Sequence, residues 1–320
     1  MVSAYPTRGR TAWILAQRPP RPAAPDPNAP HGVFLERERL ASGAVADSGV
    51  VLLTNRECPW RCVMCDLWKN TLTEPVERGA IPRQIAYALE RLPKARQVKL
   101  YNSGSFFDVK AIPREDYAAI AGLVRHFERT IVECHPALVG SRCYDFRDLL
   151  GHPLEVAMGL ETVHPDVLAR LNKQMTVDEF GQAARVLRAQ NVDVRTFILV
   201  QPPFMKAEAA LEWTERSLEF AFDCGATAAS LIPTRGGNGA METLERAGEF
   251  NAPRLATVEA AMVYGLNMGR GRVFVDLWGL RQTEPRCREC WPARIERLQL
   301  MNLRQGVLDG MKCTQCGGLS

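Results

Sequence analysis

The chain has 320 residues, 46% of them hydrophobic and 24% charged, with a formal net charge of +4. That is room for one large α/β unit with a small appendage, and the mild basic excess permits nucleic-acid binding without arguing for it. No apolar run approaches the ~18 residues of a membrane span, and no apolar stretch near the start precedes a small-residue cleavage site, so a cytoplasmic protein with no membrane partner is expected.

Residues 1–31 contain Pro6, Pro19, Pro20, Pro22, Pro25, Pro27 and Pro30, which excludes regular helix or central strand over most of the stretch. An N-terminal arm over 1–46 is expected, with Tyr5, Trp13, Ile14 and Leu15 packing it against the body. From about residue 47 short apolar runs alternate with amphipathic segments. Strands are predicted at 50–54, 97–102, 130–134, 154–160, 193–200, 226–232 and 272–276. Between them, Ile85, Leu89 and Leu92 mark one helical face and Leu211, Leu218 and Phe222 another, while Thr176-Val-Asp-Glu179 reads as a capping box. Repeated βα units of this kind build a parallel sheet, whose C-terminal strand ends carry the site.

Just past the first parallel strand stands Cys58-Pro-Trp-Arg-Cys62-Val-Met-Cys65. Three thiolates from one loop leave one iron of a four-iron cubane without a protein ligand, open to chemistry. A closed structural zinc site wants four ligands, and His135, the nearest downstream histidine, is far away in sequence. Polar groups recur at later tips. They include Ser103-Gly104-Ser105 after the second strand, Glu133 and His135 after the third, and Glu161 and Thr162 after the fourth. An acid and an imidazole at a barrel mouth can bind a cofactor or move protons, which makes Glu133 and His135 catalytic candidates. Arg235, followed by Gly236, Gly237 and Gly239, can grip an anionic substrate group or cap the barrel.

The cysteine loop and its strand resemble the signature of the radical S-adenosylmethionine superfamily. The resemblance implies a partial (β/α)6-type barrel and a [4Fe-4S] cluster on Cys58, Cys62 and Cys65, with the methionine moiety of S-adenosylmethionine chelating the fourth iron. It further implies reductive cleavage of the sulfonium, a 5′-deoxyadenosyl radical that takes hydrogen from a substrate, and a reductant of flavodoxin or ferredoxin type. Ser103-Gly104-Ser105 stands where such enzymes carry a Gly-Gly-Glu turn for the methionine amine. Glu161 and Thr162 fall near the ribose and methionine, and Val200 falls at the tip that holds adenine. Lys173 replaces the usual arginine, so it can neutralise the methionine carboxylate but cannot form the bidentate fork. Met64 replaces an aromatic residue near adenine and fills a similar volume. Thr54-Asn-Arg-Glu-Cys58, Val63-Met-Cys65 and Ser103-Gly-Ser-Phe106 resemble the branch with the archaeosine synthase radical subunit and its uncharacterised bacterial relatives. That branch implies a modified tRNA base as substrate. A small metabolite or a peptide is the rival, and a non-catalytic iron-sulfur or nucleotide-binding protein is the alternative from another class.

The core is expected over 47–280 and a separate lobe over 281–320, where Cys287-Arg-Glu-Cys290 and Cys313-Thr-Gln-Cys316 form a four-thiolate set. Paired knuckles favour zinc, with a second iron-sulfur cluster as alternative. Seven of the ten cysteines thus lie in metal-ligand spacing, which fits a reducing compartment, and Cys143 and Cys224 read as core thiols. Arg281, Arg286, Arg288, Arg294 and Arg297 would give this lobe a basic face for RNA.

Overall fold

The computed structural model describes residues 3–282 and 287–315. Arg286 and Cys316 lie outside the described residues. One eight-stranded sheet organises the chain, with its strands side by side in sequence order. β1 (Gly32–Arg39) runs antiparallel to β2 (Val45–Leu52). From β2 onward every pairing is parallel, through β3 (Gln97–Tyr101), β4 (Arg129–Glu133), β5 (Leu154–Glu161), β6 (Asp193–Val200), β7 (Ala228–Pro233) and β8 (Arg272–Val275). The sheet curls into the α/β partial barrel expected from the sequence. All seven apolar runs read as strands are the seven parallel strands.

Helices follow the predicted faces. The helix Ala80–Leu89 buries Ile81, Ile85 and Ala88 against the sheet, and Ala210–Asp223 buries Leu218 and Phe222. The helix Val177–Ala189 opens on the capping box, with the Glu179 amide donating to Thr176 Oγ1 at 3.2 Å and the Thr176 amide donating to Glu179 Oε2 at 2.7 Å. No helix among the described residues is long and apolar enough to cross a membrane.

Residues 32–39 correct the expected arm. They form β1, whose Gly-Val-Phe-Leu-Glu-Arg-Glu-Arg sequence is too charged to read as a central strand. The charges are explained by the barrel interior. Glu38 is 3% exposed and accepts from Arg195 Nη2 at 2.6 Å while also pairing with Lys99. Arg272 on β8 reaches the same carboxylate at 3.7 Å. Arg195 donates through Nε to Glu155 at 2.6 Å, and Arg272 reaches Glu155 at 2.9 Å. Burial alone would raise the pKa of Glu38 and of Glu155. The guanidiniums, with Lys99 for Glu38, outweigh it, holding Glu38 far below the ordinary range and Glu155 at about 2.

The arm proper is not shapeless either. A helix, Arg10–Gln17, fits between Pro6 and Pro19. Tyr5 and Ile14 are buried and Trp13 meets Tyr5 edge-on at 5.1 Å, whereas Leu15 faces solvent. Arg10 donates to the Ala169 carbonyl at 2.6 Å and the Thr243 hydroxyl donates to Gln17 at 2.9 Å, so the arm is tied to the short helices Pro165–Arg170 and Ala240–Arg246 that follow β5 and β7.

The C-terminal segment is not set apart from the barrel. Its helix, Trp291–Arg304, packs on both β1 and β8, the two edges of the sheet. Asn302 donates to the Val275 carbonyl at 2.9 Å and accepts from the Val275 amide at 2.8 Å; Gln305 does the same for Val273, at 2.8 and 2.7 Å. Arg294 pairs with Glu259, and Arg297 donates to the Leu308 carbonyl at 2.7 Å and reaches Glu259 at 3.4 Å. Glu259 is 1% exposed, so these two arginines neutralise a buried carboxylate instead of forming the basic face expected of them. Arg288 is exposed.

Removing Glu38 leaves the buried cations Lys99 and Arg195 with one carboxylate each, Glu36 and Glu155. Glu38→Ala should lower unfolding stability by about 3–5 kcal/mol, measured by urea denaturation. Glu155 has a depressed native pKa, so its contribution is complete above its ordinary 4.5 and is lost as pH falls toward about 2. An acid titration followed by circular dichroism should show that loss in the wild type.

Candidate active site

The cysteine loop leaves the C-terminal tip of β2 and is tied down before it reaches Cys58. The Thr54 amide donates to Gln84 Oε1 at 2.8 Å and Gln84 Nε2 donates back to the Thr54 carbonyl at 2.7 Å. Glu57 holds Arg18 at 2.8 Å, Arg21 at 2.7 Å and Arg61 at 3.3 Å, which joins the arm to the loop. Past that point the loop's carbonyls are held by amides from other strand tips. Asn172 Nδ2 donates to the Arg61 carbonyl at 2.7 Å. Asn238 Nδ2 donates to the carbonyls of Val63 at 2.7 Å and Cys65 at 3.1 Å, while its Oδ1 accepts from the Met241 amide at 2.9 Å. The Val63 amide donates to the Leu171 carbonyl at 2.9 Å.

Burial raises all three thiols, Cys58 to about 11 and Cys65 to about 12. In this setting only a bound metal's charge would hold them as thiolates at neutral pH. The donor set fits an iron-sulfur cluster: three soft ligands on one loop, enclosed, with a cation opposite. That cation is Lys173, whose Nζ lies 2.5 Å from Glu161 Oε1. Burial would lower the ammonium's pKa, but Glu161 opposes it and keeps the group charged. Gly159 makes the pair possible, since a Cβ there would strike both Glu161 Oε1 and Lys173 Nζ. Glu161 itself sits at φ 66°, where the β5 to β6 register shifts, a conformation that L residues adopt only when the surroundings impose it. Gly104 lies against the cysteine loop, where a Cβ would stand 3.3 Å from that of Cys58.

The remaining predicted residues divide into those that face this center and those that support it. Glu133 accepts from the amides of Asn102 at 2.8 Å and Ser103 at 3.0 Å, so its carboxylate braces the turn that carries Gly104. Burial raises it to about 7 against those donors. His135 stacks on Trp60 at 3.6 Å with planes 7° apart. Its Nδ1 accepts from the Ala137 amide at 3.2 Å, which leaves the proton on Nε2 to donate to the Lys173 carbonyl at 3.1 Å. Burial, and next the Lys173 charge, lower it to about 4, so the ring is neutral and both nitrogens are engaged. Ser103 takes φ 54°, and Ser105 turns away to accept from the His135 amide at 3.4 Å. Thr162 Oγ1 accepts from the His164 amide at 3.1 Å. Met64 packs half-buried on the core, and the Val200 carbonyl accepts from Thr234 Oγ1 at 2.9 Å. Arg235 stands beside the cysteine loop, 3.4 Å from Asp66.

Asn238 and Trp60 were not singled out from the sequence as supports of the loop. Asn238 sits between Gly237 and Gly239, and Trp60 lies inside the motif, so both were visible; their partners come from distant tips. In the C-terminal segment the sulfurs of Cys287, Cys290 and Cys313 lie within 4.8 Å of one another, the first and third at 3.8 Å. The Cys290 backbone amide draws the Cys287 thiol down to about 7. Three of the four expected ligands are thus gathered, and Cys143 and Cys224 are buried thiols as anticipated.

No family model matches the chain. An uncharacterized protein of Methanocaldococcus jannaschii is 21% identical over 249 residues, covering 73% of this chain and 68% of its own length. Archaeosine synthase subunit beta of Methanosarcina acetivorans is 25% identical over 234 residues, covering 68% of this chain and 67% of its own. The similarity to archaeosine synthase subunit beta accords with the resemblance that the cysteine loop carries. Among solved structures, coproporphyrinogen III oxidase (HemN) from Escherichia coli, described as a radical SAM enzyme, aligns at TM-score 0.45 and 12% identity. That alignment covers 68% of this chain and 51% of the other, so this chain spans about half of it.

Asn238→Ala removes both carbonyl contacts at once and should loosen the loop by about 1–3 kcal/mol. Iron bound per chain after anaerobic reconstitution should fall well below the wild-type value. Full iron retention would show that Leu171 and Asn172 suffice.

Proposed function

We propose that the chain cleaves S-adenosylmethionine reductively at a [4Fe-4S] cluster on Cys58, Cys62 and Cys65, and that it acts on a modified tRNA base. The observation that carries the first part is the enclosed three-thiol loop facing the Lys173–Glu161 pair at the strand tips. When bound, the cluster and S-adenosylmethionine supply one-electron cleavage of the sulfonium and a 5′-deoxyadenosyl radical. The chain's own residues do the rest. Lys173 offers its ammonium to the methionine carboxylate, with Glu161 fixing its direction, and the backbone of Ser103-Gly104-Ser105 receives the amine on a turn braced by Glu133. His135 holds Trp60, and through it the cysteine loop, in place. This reading makes His135 and Glu133 positioning residues.

Relatives named archaeosine synthase subunit beta support the tRNA base, and the word subunit supports a partner chain. Cys287, Cys290, Cys313 and Cys316 are proposed to hold structural zinc.

Replacing Cys58, Cys62 and Cys65 by Ala should abolish 5′-deoxyadenosine formation with dithionite; persistence in the triple variant overturns the assignment. Metal analysis of anaerobically purified protein should give four irons and one zinc per chain, and about eight irons with no zinc would make the second site a cluster. For the substrate, labelled tRNA should bind at low salt and weaken steeply as salt rises. Absence of binding at low salt removes the RNA reading.

A further inference from the structure

Phe34 lies on β1 with the parity of Glu36 and Glu38, whose carboxylates reach Lys99 and Arg195 inside the barrel. Its ring therefore faces inward, at the height of Val50, its register partner on β2. Trp278 follows the tip of β8, the opposite edge of the sheet. The two rings meet across the gap with centroids 6.4 Å apart and planes 24° apart. Yet they stay open, Phe34 39% and Trp278 60% exposed. Trp278 keeps most of its area in water and Phe34 more than a third, so part of the gain that burying both rings would bring to folding is forgone. They contribute much to a flat ligand.

Charged groups flank the pair. Asp276 directly follows β8, and its Oδ1 accepts from the Trp278 amide at 2.8 Å. Arg235 stands nearby, half exposed and 3.4 Å from Asp66, its Nη1 so near Gly279 that a Cβ there would lie 3.1 Å away. A carboxylate and a guanidinium beside an aromatic face suit a ring that carries both N–H donors and carbonyl acceptors on its edge. A peptide or aliphatic substrate would gain little from the rings.

We propose that Phe34 and Trp278 form the stacking platform that receives a planar heteroaromatic ring, a nucleobase, with Asp276 and Arg235 reading its edge. The proposal deepens the tRNA-base reading, names its binding residues, and rests on that reading for the identity of the polymer.

The test uses the reconstituted holoenzyme with S-adenosylmethionine, and two probes, unfractionated tRNA and free guanosine at millimolar concentration. Each probe should quench the emission of Trp278, read as the difference between wild type and Trp278→Phe. Phe34→Ala and Trp278→Ala should each weaken tRNA binding by about five- to hundredfold, the range for one stacked base, while Trp278→Phe should keep most of the affinity. Unchanged far-UV dichroism and iron content in each variant exclude a folding defect, and Trp278, already exposed, supplies the safer substitution. If tRNA binds while Trp278 emission and the variants' affinities do not change, the platform is overturned and the tRNA reading stands. If guanosine quenches Trp278 and loses that effect in Phe34→Ala while tRNA does not bind, the platform stands and the substrate is a free heterocycle. A peptide that is turned over with neither probe reaching Trp278 overturns the platform as well.

Discussion

One carboxylate, that of Glu38, decides the shape of the barrel. It takes cations from three strands, Lys99 on β3, Arg195 on β6 and Arg272 on β8, and it does so from β1, the antiparallel edge. A buried ion pair is weak evidence for net stability, but it specifies register well, because a one-residue slip of β1 would turn Glu38 outward and leave three cations inside. With Glu38 in place, the two edges of the curled sheet face each other. The strand tips that carry the cysteine loop, Lys173 and Asn238 then converge on one mouth.

At that mouth the ligand loop is organised by groups that would never touch a metal. Asn172 and Asn238 hold its carbonyls, Trp60 is held by His135, and Glu57 links it to the arm through Arg18 and Arg21. The Cys58 and Cys65 sulfurs meet the amides of Trp60 and Leu67 in their own loop, and burial disfavours all three cysteines as thiolates. Geometry is thus supplied by the surroundings and charge by the bound group, a division that lets the loop keep its shape while its electrostatics change.

The seven parallel strands, the capping box and the three-cysteine loop were legible because each is written in neighbouring residues. What stayed hidden depends on partners far along the chain. β1 reads as polar because Glu36 and Glu38 face a charged interior, and nothing near them announces Arg195, more than 150 residues on. Arg294 and Arg297 read as a surface for RNA because the sequence does not show that Glu259 is buried between them. His135 and Glu133 were legible as residues at the mouth; that one lies flat on Trp60 and the other caps the turn after β3 follows from packing.

The amides of Asn302 and Gln305 have a consequence for how this molecule behaves among copies of itself. A partial barrel has a last strand, and an unpaired last strand is a template for the strand of another chain. Here two side chains, both at the end of one helix, meet alternate backbone groups of β8 in the manner of a ninth strand. The sheet is terminated chemically without being closed, so the barrel can remain open toward a bulky substrate and still present no free edge along Val273 and Val275 to a neighbour.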